Sequence, residues 1–166
     1  LLERHRKIVF KVANTYCRNA EDRRDLGQEI AVQLWRAFPA YDEARPFSTW
    51  MYRVALNVAI SFARRAGYRD AHSAPLDEHV AEPVDTRATI DEPDPRVEAL
   101  REFIEQLDPL NRALMLLYLE DHSYLEIAEV LGCSLSATKS LIHRGRETLK
   151  LKLKPYLRTG VWKEKK

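Results

Sequence analysis

The side chains richest in chemistry in this 166-residue chain are hydrogen-bond donors, cations and aromatic rings, and their spacing suits polyanion recognition rather than bond-making. Between Ser134 and Arg146 one side of a helical repeat carries Ser136, Lys139, Ser140, His143, Arg144 and Arg146. Leu135, Thr138, Leu141 and Ile142 fall on the other side. Such a helix offers hydroxyls, an imidazole and cations to base edges and phosphates. A second set lies between Trp50 and Arg64. Arg53, Asn57 and Arg64 share a stripe with Ile60, and Trp50 and Tyr52 add rings beside it. Rings on which unstacked bases can lie, with Arg and Asn donors along the base edges, suit single-stranded nucleic acid. A plain amphipathic helix with a core tryptophan reads the same way, so this stretch alone does not decide. There is no glycine-rich phosphate loop, metal-ligand cluster or nucleophile–base pair. The sequence therefore assigns no catalytic residue, no metal ligand and no cofactor.

The elements that must position the first set are read from local signals. Ser123 followed by Glu126 is a capping box. Ile127, Ala128 and Leu131 give the helix behind it an apolar face, and Gly132 ends it, since glycine accepts the left-handed conformation of a helix C-terminus. Ser134 or Ser136 caps the next helix. Short helix, small residues at the crossing and a second helix with a basic outer face make a helix-turn-helix, whose second helix lies in the DNA major groove. Upstream, Asp94-Pro95 and Asp108-Pro109 each pair an N-cap with a first-turn proline. They open helices whose inward positions are Val97, Leu100, Phe103, Ile104 and Leu107, then Leu110, Leu114, Leu117 and Tyr118. The last helix runs to about Lys154, before a basic tail containing Trp162.

The second set is positioned by three N-terminal helices. Ile8, Val9, Val12, Ala13, Tyr16 and Cys17 form the stripe of the first, over residues 5–18. Asp22 caps the second, from about Arg23 to Phe38, which buries Leu26, Ile30, Leu34 and Phe38. Its other sides carry Asp25, Gln28, Glu29, Val32, Trp35 and Arg36, and Trp35 reads equally as core or surface. Gly27 inside this helix costs about 1 kcal/mol relative to alanine, which points to a close approach there. Pro39 ends it, residues 40–47 form a loop with Tyr41 near its beginning, and Ser48 caps the third helix. That helix faces the core with Met51, Val54, Ala55, Val58 and Phe62.

Charge is segregated beneath a net value of +2. Residues 1–67 hold 12 Lys/Arg against 7 Asp/Glu, and residues 139–166 hold 10 against 2. Residues 68–95 hold 2 against 8, and residues 96–138 hold 3 against 8. Two basic bodies with acidic sequence between them suggest two polyanion contacts. The 68–95 stretch, punctuated by Pro75, Pro83 and Pro93, lacks a helical stripe and reads as an extended linker. Cys17 and Cys133 read as small buried hydrophobes, not as a disulfide framework. No apolar run is long enough to span a membrane. The expectation is an all-α chain of two small helical domains, residues 1–67 and 96–166, joined by the acidic linker 68–95.

Together these pieces resemble the sigma-70 family, specifically its minimal extracytoplasmic-function members. DLGQEIAVQLWRAF (25–38) is similar to the segment of the second conserved region that binds the β′ clamp of RNA polymerase. YDEARPFSTWMYRVALNVAISFARR (41–65) is similar to the promoter-melting and minus-ten-reading segment. SYLEIAEVLGCSLSATKSLIHRGRETLK (123–150) is similar to the fourth region, which reads the minus-thirty-five element. The resemblance implies that Asp25, Gln28, Glu29 and Trp35 meet the polymerase. It implies that Tyr41 lies in a base-capturing loop, and that Trp50, Arg53 and Asn57 serve the minus-ten DNA. Ser136, Lys139, Ser140, His143 and Arg144 would serve the minus-thirty-five DNA. Lys139 stands where the family often has arginine and His143 where it often has an aromatic residue. A lysine cannot make arginine's bidentate fork to guanine, so the base preference is this chain's own. The implied protein is a cytoplasmic promoter-specificity subunit, not an enzyme. Its partners would be core RNA polymerase (β′ clamp and β flap), promoter DNA and an anti-sigma factor. A stand-alone helix-turn-helix regulator is the alternative; it leaves the clamp-like helix and the aromatic loop without a purpose.

Overall fold

The computed structural model describes residues 2–72 and 94–157. Most of the expected linker, with Pro75, Pro83 and Pro93, and the tail with Trp162 lie outside the described residues. Seven α-helices occur among the described residues: α1 Leu2–Tyr16, α2 Ala20–Ala37, α3 Phe47–His72, α4 Pro95–Gln106, α5 Pro109–Leu119, α6 Tyr124–Leu131 and α7 Leu135–Leu157. A 3-10 turn, Phe38–Ala40, follows α2.

The first three helices pack on one another around Val12, Leu26, Ile30, Leu34, Met51 and Ala55, all 0–1% exposed. Helix α2 starts earlier than its acidic residues suggest. Its cap is Asn19, whose Oδ1 accepts the Asp22 amide at 2.6 Å, so Asp22 lies in the first turn instead of capping it. Phe38, expected inside, sits in the 3-10 turn at 44% exposure because Pro39 withdraws the backbone donor that another α-turn would need. Helix α3 likewise begins at Phe47, one residue before the expected cap Ser48. It continues to His72, so residues 68–72 of the expected linker are helical; Gly67 weakens a helix by only about 1 kcal/mol and no proline intervenes.

Helix α3 departs most from its sequence pattern. Tyr52 and Ile60, expected on its outer surface, are 4% and 8% exposed. The reason is that α3 is covered twice. Helices α1 and α2 pack against it, and so do α5 and α6 from the C-terminal half. A helix buried on two sides loses the one-sided stripe from which an amphipathic face is read. One continuous buried cluster therefore runs from Ile8 through Leu56 to Leu114, Ile127 and Ile142.

In the C-terminal half the capping signals are realised. The Asp94 side chain accepts the Arg96 amide at 2.9 Å, and Asp108 accepts those of Leu110 and Asn111 at 3.1 and 3.2 Å. Burial pushes the Asp108 carboxyl up, but the Asn111 and Leu110 donors outweigh it and hold it below its ordinary value. Phe103 and Ala99 anchor α4, whereas Val97, expected inward, is 55% exposed in its first turn. Helix α7 crosses α5 closely at Gly145, where a Cβ would meet the Met115 sulfur at 2.7 Å. The glycine permits that approach. Cys17 is buried, which pushes its thiol up to about 11 and keeps it an unreactive core residue. Cys133 is half-buried in the turn before α7.

Candidate DNA and polymerase surfaces

Helices α6 and α7 form the expected helix-turn-helix, and each local device is visible. Ser123 Oγ accepts the Glu126 amide at 3.2 Å, and Glu126 accepts the Ser123 amide at 2.8 Å. The Ser123 amide and hydroxyl hold the Glu126 carboxyl below its ordinary value. Gly132 turns the chain at φ 66°. Of the two candidate caps for α7, Ser134 takes the role, its Oγ accepting the Ala137 amide at 3.1 Å. Thr138 and Ile142 are fully buried, and the Thr138 hydroxyl donates to the Ser134 carbonyl at 3.0 Å. That inner side pins the rotation of α7 and leaves Ser136, Lys139, Ser140, His143 and Arg144 exposed together. Arg146, read as part of the same face, instead turns inward and lies 5.8 Å from the Tyr118 ring centre. Lys139, His143 and Arg144 form no ion pair among the described residues.

At the other end, Tyr41 belongs to a cluster of rings. Its centroid is 5.1 Å from that of Trp50 and 5.3 Å from that of Phe47, with Phe38 at 6.3 Å. The loop is closed on itself: the Tyr41 hydroxyl donates to the Arg45 carbonyl at 2.7 Å, and Asp42 accepts the Ala44 amide at 3.0 Å. Trp50, Arg53 and Asn57 are three and then four residues apart on α3, which puts them on one face. Trp50 is half-buried in the ring cluster, and Arg53 and Asn57 are exposed. The structure thus brings Tyr41, Trp50, Arg53 and Asn57 together as aromatic floor and polar flank. Tyr52 is not part of it. It meets His122 edge-on at 5.0 Å, and burial, with the Glu120 carboxylate nearby, pushes its phenol up to about 12.

On α2, Asp25 and Gln28 are exposed on a face that also shows Val32 at 49% and Trp35 at 77%. Trp35 is therefore surface, not core. Glu29 is half-buried and accepts both short contacts from Arg65 Nη2, at 2.7 and 2.9 Å. It is thus tied to α3 rather than standing apart. Two residues were passed over as site candidates. Val32 shares the Trp35 face at helical spacing, a signal present in the sequence. Arg45, in the Tyr41 loop, pairs with Glu129 on α6 at 2.9 Å, a contact across 84 residues that no local pattern reveals.

Comparison with known proteins identifies the family. Residues 1–69 match Sigma-70 region 2 and residues 97–149 match Sigma-70, region 4. The RNA polymerase sigma-H factor of Pseudomonas aeruginosa is 30% identical over 167 residues, covering 95% of this chain and 86% of that protein. The chain belongs to the sigma-70 family. The ECF RNA polymerase sigma factor SigE of Mycolicibacterium smegmatis is also 30% identical, over 90% of this chain but 59% of its own length. Such relatives place the chain in the extracytoplasmic-function group. The fold is that of the sigma factor RpoE co-crystallised with the anti-sigma factor NepR from Bartonella quintana. The TM-score is 0.69 at 19% identity, over 92% of this chain and 94% of that one.

As an extracytoplasmic-function sigma factor, the chain is a transcription-initiation factor whose partners are core RNA polymerase and promoter DNA. Its region 2 contains the ring cluster, the Arg53–Asn57 face and the Trp35 face, and its region 4 contains the α6–α7 motif. None of its described helices is long and apolar enough to cross a membrane.

Proposed function

We propose that this sigma factor works with two hands of different chemistry, residues 1–67 and residues 96–166, joined by the acidic connector 68–95. In the first, Asp25, Gln28, Glu29 and Trp35 hold core polymerase. Tyr41 and Trp50 receive unstacked bases of the minus-ten element, and Arg53 and Asn57 contact its edges and backbone. In the second, Lys139, Ser140 and His143 face base edges of the minus-thirty-five element while Ser136 and Arg144 reach phosphates. The observation that carries this reading is the joint exposure of Arg53 and Asn57 on the same face as the ring cluster. Unpairing and flipping a base costs a few kcal/mol, and stacking returns about 1–3 kcal/mol per base. Ring surface plus polymerase contacts therefore suffices to tip the duplex open at the right sequence. A duplex reader alone lacks that capacity.

The protein acts in the cytoplasm, by binding rather than by catalysis of its own, and an anti-sigma factor is a further partner. Run-off transcription with core polymerase on a library of randomised promoters tests the whole reading. Core-dependent transcripts starting downstream of a recurrent pair of elements are expected. DNA binding without any core-dependent transcription would instead describe a stand-alone regulator.

A further inference from the structure

Arg146 belongs to the basic repeat of α7, yet it is half-buried while Lys139, His143 and Arg144 are exposed. Glu147, the only acid of α7, is taken by Lys150 at 3.0 Å, and Arg146 forms no ion pair among the described residues. Its guanidinium lies instead 5.8 Å from the ring centre of Tyr118, in the last turn of α5. That ring is stacked in turn on Tyr124, the first residue of α6, with centroids 6.5 Å apart and planes 23° from parallel. The backbone fixes the turn between the two rings. The His122 amide donates to the Leu117 carbonyl at 3.1 Å, and the Asp121 amide to the Tyr118 carbonyl at 3.2 Å. Cation, ring and ring thus tie α7 to α5 and to the start of α6. One residue earlier, Gly145 brings α7 against Met115 of α5.

Thr138 and Ile142 set the rotation of α7 near its start. A rod held at one end still pivots, and the pivot would move Lys139 and His143 relative to base edges. Hydrogen bonds to bases tolerate a heavy-atom spread of only about 0.5 Å, so a second anchor along the helix matters to them. A guanidinium suits that place because it is planar, always charged and weakly hydrated, and so lies readily on a ring. We infer that Arg146 is a positioning residue of the recognition helix. Stacked on Tyr118, it fixes the angle at which α7 presents Lys139 and His143, and it takes no phosphate itself. The inference rests on the minus-thirty-five role proposed for α7. Loss of Arg146 therefore weakens discrimination between sequences, whereas loss of a phosphate contact weakens binding to all sequences alike.

The test titrates holoenzyme, assembled from core polymerase and the full chain, onto a fluorescent promoter duplex recovered from the randomised library. The duplex is used intact or with its upstream element scrambled, at several salt concentrations. Arg146→Gln should lower affinity for the intact duplex about two- to fivefold, the size of one half-exposed cation–ring contact, and leave the scrambled duplex unchanged. Its salt slope should match the parent's. Arg144→Gln should instead flatten that slope by about 0.9 and weaken both duplexes alike. Arg146→Met should keep most of the discrimination, because a thioether packs on a ring but offers a phosphate no charge. Tyr118→Leu should lose discrimination as Arg146→Gln does, and the double variant should be little worse than either single one. Circular dichroism matching the parent's separates these effects from unfolding. A flattened slope with Arg146→Gln, equal loss on both duplexes, or additive Arg146 and Tyr118 effects would overturn the inference and leave the role of α7 standing. A parent holoenzyme indifferent to the scrambled element would overturn both.

Discussion

Helices α3 and α7 both present nucleic-acid-suited side chains, yet they are built in opposite ways. Helix α7 is pinned from one side by Thr138 and Ile142 and offers solvent a face of hydroxyls and cations. Helix α3 is covered from two sides and has only a narrow strip left, where Arg53 and Asn57 stand beside the half-buried Trp50. The N-terminal half also exposes much apolar surface, with Trp35 at 77%, Val32 at 49% and Phe38 at 44%. The C-terminal half thus has the means to bind by charge and hydrogen bonds, which steer and position. The N-terminal half has the means to bind by burial and stacking, which supply energy only on close contact. A factor that must first locate and then open DNA needs both, in that order.

The largest test of this contrast is Trp35→Ala. An exposed tryptophan at the centre of a protein interface is commonly worth about 2–4 kcal/mol, so affinity for core polymerase should fall about thirtyfold or more. Because the side chain is mostly solvent-exposed in the free chain, the urea midpoint should hardly move. An equal loss of stability would mean that the residue serves the fold.

Next in size is Tyr41→Ala, which should reduce run-off from a duplex promoter about tenfold and from a pre-melted one much less. The ring also packs on Phe47 and Trp50, so Tyr41→Phe is the control. It removes only the bond to the Arg45 carbonyl and should retain most activity. If alanine hurts both templates alike, the ring is structural and the stacking half of the comparison fails.

A third test concerns the cover over α3. Burial and the Glu120 carboxylate favour neutral Tyr52, raising its phenol from the usual value near 10 to about 12. A raised folded-state value means that stability is fully present below pH 10 and lost as pH climbs from there toward 12. The loss should be on the order of 1–3 kcal/mol, followed as an alkaline fall in the thermal midpoint. Tyr52→Phe should flatten that limb. An unchanged limb would show that another group sets it.

How far the molecule could be read from its sequence follows the same division. Where structure is local, the signals sufficed: the Ser123–Glu126 box, Gly132, and the Asp-Pro starts at 94 and 108 all stand where cap chemistry puts them. Where structure is set by what packs on it, they did not. Tyr52 and Ile60 were misplaced because α3 is covered on two sides, Tyr52 in part by His122, far away in sequence. Arg146 was misplaced because Tyr118 offers it a ring, and the Arg45–Glu129 tie has no local trace. The acids of residues 96–138 entered the sequence reading only as a charge count between two basic bodies. In the folded chain Glu120, Glu105 and Glu129 pair with Lys11, Arg18 and Arg45 of the N-terminal half.

The smallest effect is also the cleanest comparison, because it places the same substitution in each half. Gly27 and Gly145 both sit inside helices, where alanine is intrinsically better by about 1 kcal/mol. At Gly27 a Cβ would rest 4.0 Å from Val9 Cγ1, an ordinary contact, so the close approach suggested by the sequence is not tight. Gly27→Ala should therefore stabilise the chain by about 0.5–1 kcal/mol. At Gly145 the added carbon meets the buried Met115 sulfur at 2.7 Å, and overpacking typically costs about 1–3 kcal/mol. Methionine is flexible enough to keep the penalty near the middle of that range, about 2 kcal/mol. Set against the helix gain, Gly145→Ala should be net destabilising by about 1 kcal/mol, or about 2–4 °C for a chain of this size. Opposite signs in urea or thermal unfolding would establish that the α5–α7 crossing beneath the recognition helix is close-packed while the α1–α2 contact has slack. A Gly145→Ala chain as stable as the parent would mean that α7 can shift on α5, and that the rotation of α7 is less firmly fixed than Thr138 and Ile142 imply.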